Sequence, residues 1–149
     1  MARESTKEIQ DKLVANMKRW QKIENAAVAQ TGAIMDKTDN TVIKLIMEII
    51  QRDSQMHHRV QQLIIDTLES GPVTLNPDDL AQVWGQIEGH IQTEQETIAL
   101  AKDSLAAIEG RKGMLIQAYL LNFLKVDEEK HDLLLDSLEK IKKGMYPYG

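Results

Sequence analysis

Chain breakers are scarce here and fall in a few places, which leaves room for long helices and little else. Only three prolines and eight glycines occur in 149 residues, and the strongest breaks lie near Gly32, at Ser70-Gly71-Pro72, at Asn76-Pro77, at Gly110 and from Gly144 to Gly149. Between those marks apolar residues recur three and four apart, the repeat of a helix face. β-Branched residues follow that spacing rather than the alternation of a strand. A first helix is expected from Ser5 to Met35, with Ile9, Leu13, Met17, Trp20, Glu24, Ala27 and Thr31 on one face. Asp39, Asn40 or Thr41 can cap a second, whose stripe is Val42, Ile46, Ile49, Asp53, His57, Val60 and Ile64. A third carries Ile87, His90 or Ile91, Glu94, Ile98 and Ala101; the fourth, after Gly110, carries Leu121, Leu124, Glu128, His131, Leu135 and Leu138. Four long amphipathic helices predict an all-α domain built as a four-helix bundle, a single domain spanning residues 1–149.

Composition narrows the chemistry. With no cysteine, disulfides, thiolate zinc sites, iron–sulfur clusters and a cysteine nucleophile are excluded, and only histidine and carboxylate remain as strong metal ligands. A net charge of −5, no basic block and 4% aromatic residues give no footprint for nucleic acid. The first twelve residues lack a signal peptide's apolar core, and no stretch approaches the roughly 20 apolar residues of a membrane span. The expectation is a soluble, cytoplasmic protein with no membrane partner. Phosphate loops, nucleophile elbows and a His-Glu-x-x-His helix are also missing from the sequence. The terminal Met-Tyr-Pro-Tyr-Gly segment carries no legible signal.

Polar groups interrupt each of the four stripes near mid-length. They are Glu24 in the first, Asp53 and His57 in the second, Glu94 with His90 nearby in the third, and Glu128 and His131 in the fourth. Burying such groups unpaired costs several kcal/mol, so they need partners or a metal. Glu24 precedes its turn by about fifteen residues and Asp53 follows it by about fourteen, which sets them level at roughly 1.5 Å per residue. Glu94 and Glu128 are each about seventeen residues from theirs, so the same rise sets them level too. A layer of carboxylates repels itself unless cations or protons neutralise it, and divalent metals held by carboxylate and imidazole do so. The segments Asp53 to His57 and Asp127 to His131 also share an Asp-x-x-x-His frame.

These residues resemble the ferritin-like superfamily of di-iron carboxylate proteins, nearest in size to rubrerythrin-type four-helix domains. That family supplies one Glu from its first helix, Glu-x-x-His from its second, Glu from its third and Glu-x-x-His from its fourth. Glu24, Glu94 and the pair Glu128 and His131 match. The second helix departs, with Ser54 three residues before His57 and Asp53 as the nearest acid. The resemblance implies a site of two iron ions, with manganese as an alternative and zinc able to substitute. Its ligands would be Glu24, Asp53, His57, Glu94, Glu128 and His131, with His90 as a further candidate. It implies terminal ligation by Glu24 and Glu94, bridging by Asp53 and Glu128, and an antiparallel bundle. It also implies a crossover between the second and third helices, for which Pro77 to Val83 would form a short helix before the main third helix begins near Gly85. A plain up-down-up-down bundle and a helix-swapped dimer are the alternative topologies.

The implied activity is an oxidoreductase of ferroxidase or peroxidase type acting on O₂ or peroxide, with a separate electron donor and a homodimer or larger homo-oligomer. Iron storage in a larger assembly and a non-catalytic helical interaction module are the alternatives. Trp20 is expected to pack in the core, while Asp127 and His58 are expected at the surface.

Overall fold

The computed structural model describes residues 3–71 and 73–144; Pro72 and the terminal Met-Tyr-Pro-Tyr-Gly segment lie outside them. The described residues are helical with no strand. Helix α1 runs Thr6–Asp36, α2 Thr41–Glu69, α3 Pro77–Ala81, α4 Trp84–Ile108 and α5 Leu115–Lys142. The short helix at Pro77 and a long one beginning at its end therefore stand where the sequence placed them.

Helix boundaries follow local chemistry. Ser5 caps α1 by accepting from the Glu8 amide while the Glu8 carboxylate accepts from the Ser5 amide, satisfying two amides that a helix start leaves without partners. Asn40 Oδ1 accepts from the amides of both Val42 and Ile43 at 3.0 Å. Asn76 and Asp79 form a second reciprocal cap on α3, whose Pro77 occupies the first turn, where no amide partner is lost. The turn between α4 and α5 contains Gly110 and Gly113 at φ of 70° and 82°, left-handed values that a side chain makes costly.

The chain forms two compact units, residues 1–73 and 74–149. In the first, α1 and α2 pack as a hairpin. Its seam is polar: Gln21, Glu24 and Thr31 from α1 and Ser54 and Gln61 from α2 are buried, with Ile65 the apolar exception. Gln21 Nε2 donates to the His58 carbonyl at 3.2 Å and to Gln62 Oε1 at 3.0 Å. Gln51 Nε2 reaches back to the Val28 carbonyl at 3.2 Å. Glu24 and Thr31 of the expected α1 stripe lie on this seam, whereas several apolar members of the two stripes lie beside it. Ile9, Leu13, Trp20, Val60 and Ile64 are exposed, Trp20 by 50%.

In the second unit, α4 and α5 pair and α3 packs against both. Leu80 of α3 and Ala101 of α4 are its buried apolar residues. The inward face of α4 is the expected one, with Ile91 rather than His90 on the seam, and α5 turns Leu121, Glu128, His131, Leu135 and Leu138 toward partial burial. Leu124 is exposed.

Candidate metal centre

Glu94, Glu128 and His131 converge on one point of the α4–α5 hairpin. Each offers a ligand atom, and these atoms all lie within 4.8 Å of one another. The helical repeat explains the assembly: Glu128 and His131, three residues apart, leave the same face of α5, and Glu94 meets them from the buried side of α4. Glu94 is only 5% exposed. Its Oε1 lies 2.8 Å from His90 Nε2, one turn earlier on α4, and 3.4 Å from His131 Nδ1. His131 Nδ1 is 3.7 Å from Glu128 Oε2. The Thr97 hydroxyl sits 2.7 Å from the Glu94 carbonyl and 3.1 Å from Glu128 Oε2.

The charges explain why this arrangement calls for a cation. Glu94 Oε2 is buried without a hydrogen-bond partner, a state that costs more for a charged oxygen than for a neutral one. The two carboxyls resolve the conflict by dividing a proton unequally. Glu94 is held below the ordinary carboxylate range, first by a hydrogen bond from the Glu128 carboxyl and then, against the cost of burial, by the two histidines. Glu128 is pushed up by that same bond and by burial. Glu94 is therefore the carboxyl that stays ionised more readily and Glu128 the one that takes up a proton more readily, and a metal ion would give the buried Glu94 Oε2 the partner it lacks. The donor set is two carboxylates and an imidazole, which suits Fe²⁺ or Mn²⁺ and also accepts Zn²⁺.

Asp127, expected at the surface, is half-buried. Its Oδ2 lies 3.5 Å from His131 Nε2, the ring nitrogen opposite the one facing Glu94. A carboxylate near that far nitrogen can help to hold the ring's orientation, while the other Asp127 oxygen, Oδ1, pairs with Lys130 at 2.7 Å. The signal was available in the Asp-x-x-x-His spacing, which sets Asp127 one turn behind the histidine.

The first hairpin holds a smaller cluster. Glu24 is 7% exposed, and its Oε1 accepts from Trp20 Nε1 at 3.0 Å and lies 3.4 Å from His57 Nδ1. Asp53 is exposed and belongs to no ligand cluster among the described residues. Ser54, its neighbour, takes the buried position, because the seam follows Gln51, Ser54, His58 and Gln61 and so turns Asp53 about 100° aside. His58, expected at the surface, is half-buried and lines a pocket of about 290 Å³ with Asn25, Val28, Ser54 and Gln55. The six residues named as ligands from the sequence therefore separate into the trio on α4 and α5, the pair Glu24 and His57, and Asp53 apart from both.

No family model, no curated protein and no solved structure matches the chain. No helix among the described residues is long and apolar enough to cross a membrane.

Proposed function

We propose that the protein binds a divalent transition metal through Glu94, Glu128 and His131, with iron the best chemical fit, and serves as a ferritin-like oxidoreductase of ferroxidase or peroxidase type. The observation that carries this is the buried, partnerless Glu94 Oε2 facing a second carboxyl and an imidazole. The chain's four long helices are the number a ferritin-like four-helix bundle needs, and each hairpin leaves apolar side chains exposed, such as Val60 and Leu63 on α2 and Leu133 and Leu134 on α5. Bound Fe²⁺ would supply the electrons that reduce O₂ or peroxide. The chain's own groups have separate tasks. Glu94 and Glu128 neutralise the cation, His131 ligates through Nδ1, Asp127 holds its ring, and Glu128 releases its proton as the ion enters. His90, beside Glu94 Oε1, is placed to keep that carboxylate ionised.

Anaerobic titration with Fe²⁺ tests the proposal. Tight binding is expected in the wild type and loss of it in the variant combining Glu128→Ala with His131→Ala. A wild type that binds no metal, or a double variant that binds as well, refutes it. Oxidation of the loaded protein by peroxide, followed optically, tests the redox assignment separately.

A further inference from the structure

A cavity of about 700 Å³ lies at the turn end of the second hairpin, lined by the last two turns of α4, the Gly110 to Gly113 turn and the first three turns of α5. Its volume falls within the range of small-molecule sites. Local sequence explains why space is left there. Ala106 and Ala118 contribute little bulk from the two helices, and Gly110 and Gly113, both at positive φ, contribute none from the turn. Leu105, Ile108, Met114 and Leu115 give the cavity apolar walls. Leu115 is 82% exposed and Met114 38%, so apolar surface here stands in water that an apolar occupant would displace favourably.

The charged groups on the wall are unevenly placed. Glu94 meets His131 and Thr97 meets Glu128 across the hairpin, a register that sets Lys102 and Lys125 level to within about 3 Å along the helices. Both line the cavity at the end away from the turn, and their alkyl stems extend its apolar wall. No acid on the wall accompanies them. Lys125 reaches only Glu129, outside the wall, at 3.7 Å, and Lys102 joins no ion pair among the described residues. At the turn end Glu109 and Arg111 line the wall together and offset one another. In a chain of net charge −5, one apolar cavity thus carries two cations at one end and balanced charge at the other.

We propose that this cavity binds an organic anion with an apolar tail, a long-chain carboxylate, with its head between Lys102 and Lys125 and its tail along Leu105 and Ile108 toward Leu115. Each part of that description follows from the wall. A small inorganic anion would leave the apolar surface wet, and a tailed cation would face the two lysines. A ligand with a carboxylate at both ends would meet Glu109 at the turn. The site makes no use of a metal ion and is separate from the role assigned to Glu94, Glu128 and His131.

Isothermal titration of the full chain with dodecanoate, in the presence of a chelator, tests the proposal. One equivalent should bind, and each methylene removed from the ligand should weaken binding about fourfold, so that decanoate binds about an order of magnitude less tightly. Dodecyltrimethylammonium, which keeps the tail and reverses the head, should bind at least about tenfold more weakly than dodecanoate, and acetate should not bind detectably. Lys102→Glu should weaken dodecanoate at least about tenfold, the order expected for losing a hydrogen bond between charged groups. Ala118→Phe, which fills the cavity, should do the same. Circular dichroism confirms that each variant keeps its helices; Lys102 is exposed, so Lys102→Glu decides the matter if Ala118→Phe does not fold. Absence of dodecanoate binding overturns the proposal, as does equal binding of decanoate, of the tailed cation or of acetate. A folded variant of either kind that binds dodecanoate as tightly as wild type also overturns it, by placing the ligand elsewhere. Every readout is made on metal-free protein, so failure here leaves the metal-binding assignment standing.

Discussion

Replacing Glu128 by glutamine should change stability in opposite directions with and without metal. In the metal-free protein Glu128 is drawn to keep a proton by Glu94 and by burial. A group whose folded pKa is raised contributes stability that is complete below its unfolded pKa and disappears as pH rises through the folded value. Above that raised value both carboxyls are ionised, with ligand atoms no more than 4.8 Å apart. At the upper limit of that separation and an effective dielectric constant near 20, unscreened repulsion is already about 3.5 kcal/mol. The Glu128 side chain is 25% exposed, so solvent reduces this to about 1 kcal/mol. Glutamine removes the repulsion and keeps the shape, and metal-free Glu128→Gln should therefore be about 1 kcal/mol more stable than wild type at pH 8 and indistinguishable from it near pH 4.

Metal reverses the order. At a concentration one hundred times the wild-type Kd, bound ion stabilises the protein by about 2.7 kcal/mol, and a tenfold loss of affinity reduces that to about 1.4 kcal/mol. Urea denaturation at pH 4 and 8 provides the metal-free comparison, and the same measurement at pH 8 with Mn²⁺ under argon provides the loaded one. A metal-free glutamine variant less stable than wild type at pH 8, or one that gains as much from Mn²⁺, would refute this account of the carboxyl pair.

Three further outcomes follow from particular contacts. Loading Mn²⁺ in a weak buffer should release a proton at pH values below the raised Glu128 pKa and progressively less above it, with affinity climbing as pH rises; a pH-stat records both. Asp53→Ala should leave metal affinity within about twofold of wild type by dialysis, because an exposed side chain outside the cluster falls within the small-effect class of surface substitutions. Asn40→Ala, which removes the acceptor of two helix-start amides, should cost about 1 kcal/mol in urea denaturation.

Much of the molecule was legible in its sequence, and the failures share a cause. Helix ends were readable because capping chemistry is local: Ser5 with Glu8, Asn40, and Asn76 before Pro77 each act within one turn. The α4–α5 cluster was readable because Glu94, Glu128 and His131 lie on stripes that are apolar elsewhere. In the first hairpin the most apolar face is not the face that packs. On α2 periodicity selects Ile46, Ile49, Val60 and Ile64, and with them Asp53 and His57, whereas its buried positions are Ser54, Gln61 and Ile65. The seven-residue spacing of Ser54 and Gln61, with Gln21, Glu24 and Thr31 at matching intervals on α1, was the available trace of that seam. Amides and hydroxyls do not register in a search for hydrophobic stripes.

That amide-lined seam acts as a ratchet stop. Two greasy helix faces can slide past one another by a turn and find nearly equivalent packing, but Gln21 to the His58 carbonyl and Gln51 to the Val28 carbonyl join in one register only. A slip of one turn, about 5.4 Å, would break both and carry His57 out of reach of Glu24. The first hairpin keeps Glu24 and His57 level through hydrogen bonds that fit one alignment, rather than through the volume of its core.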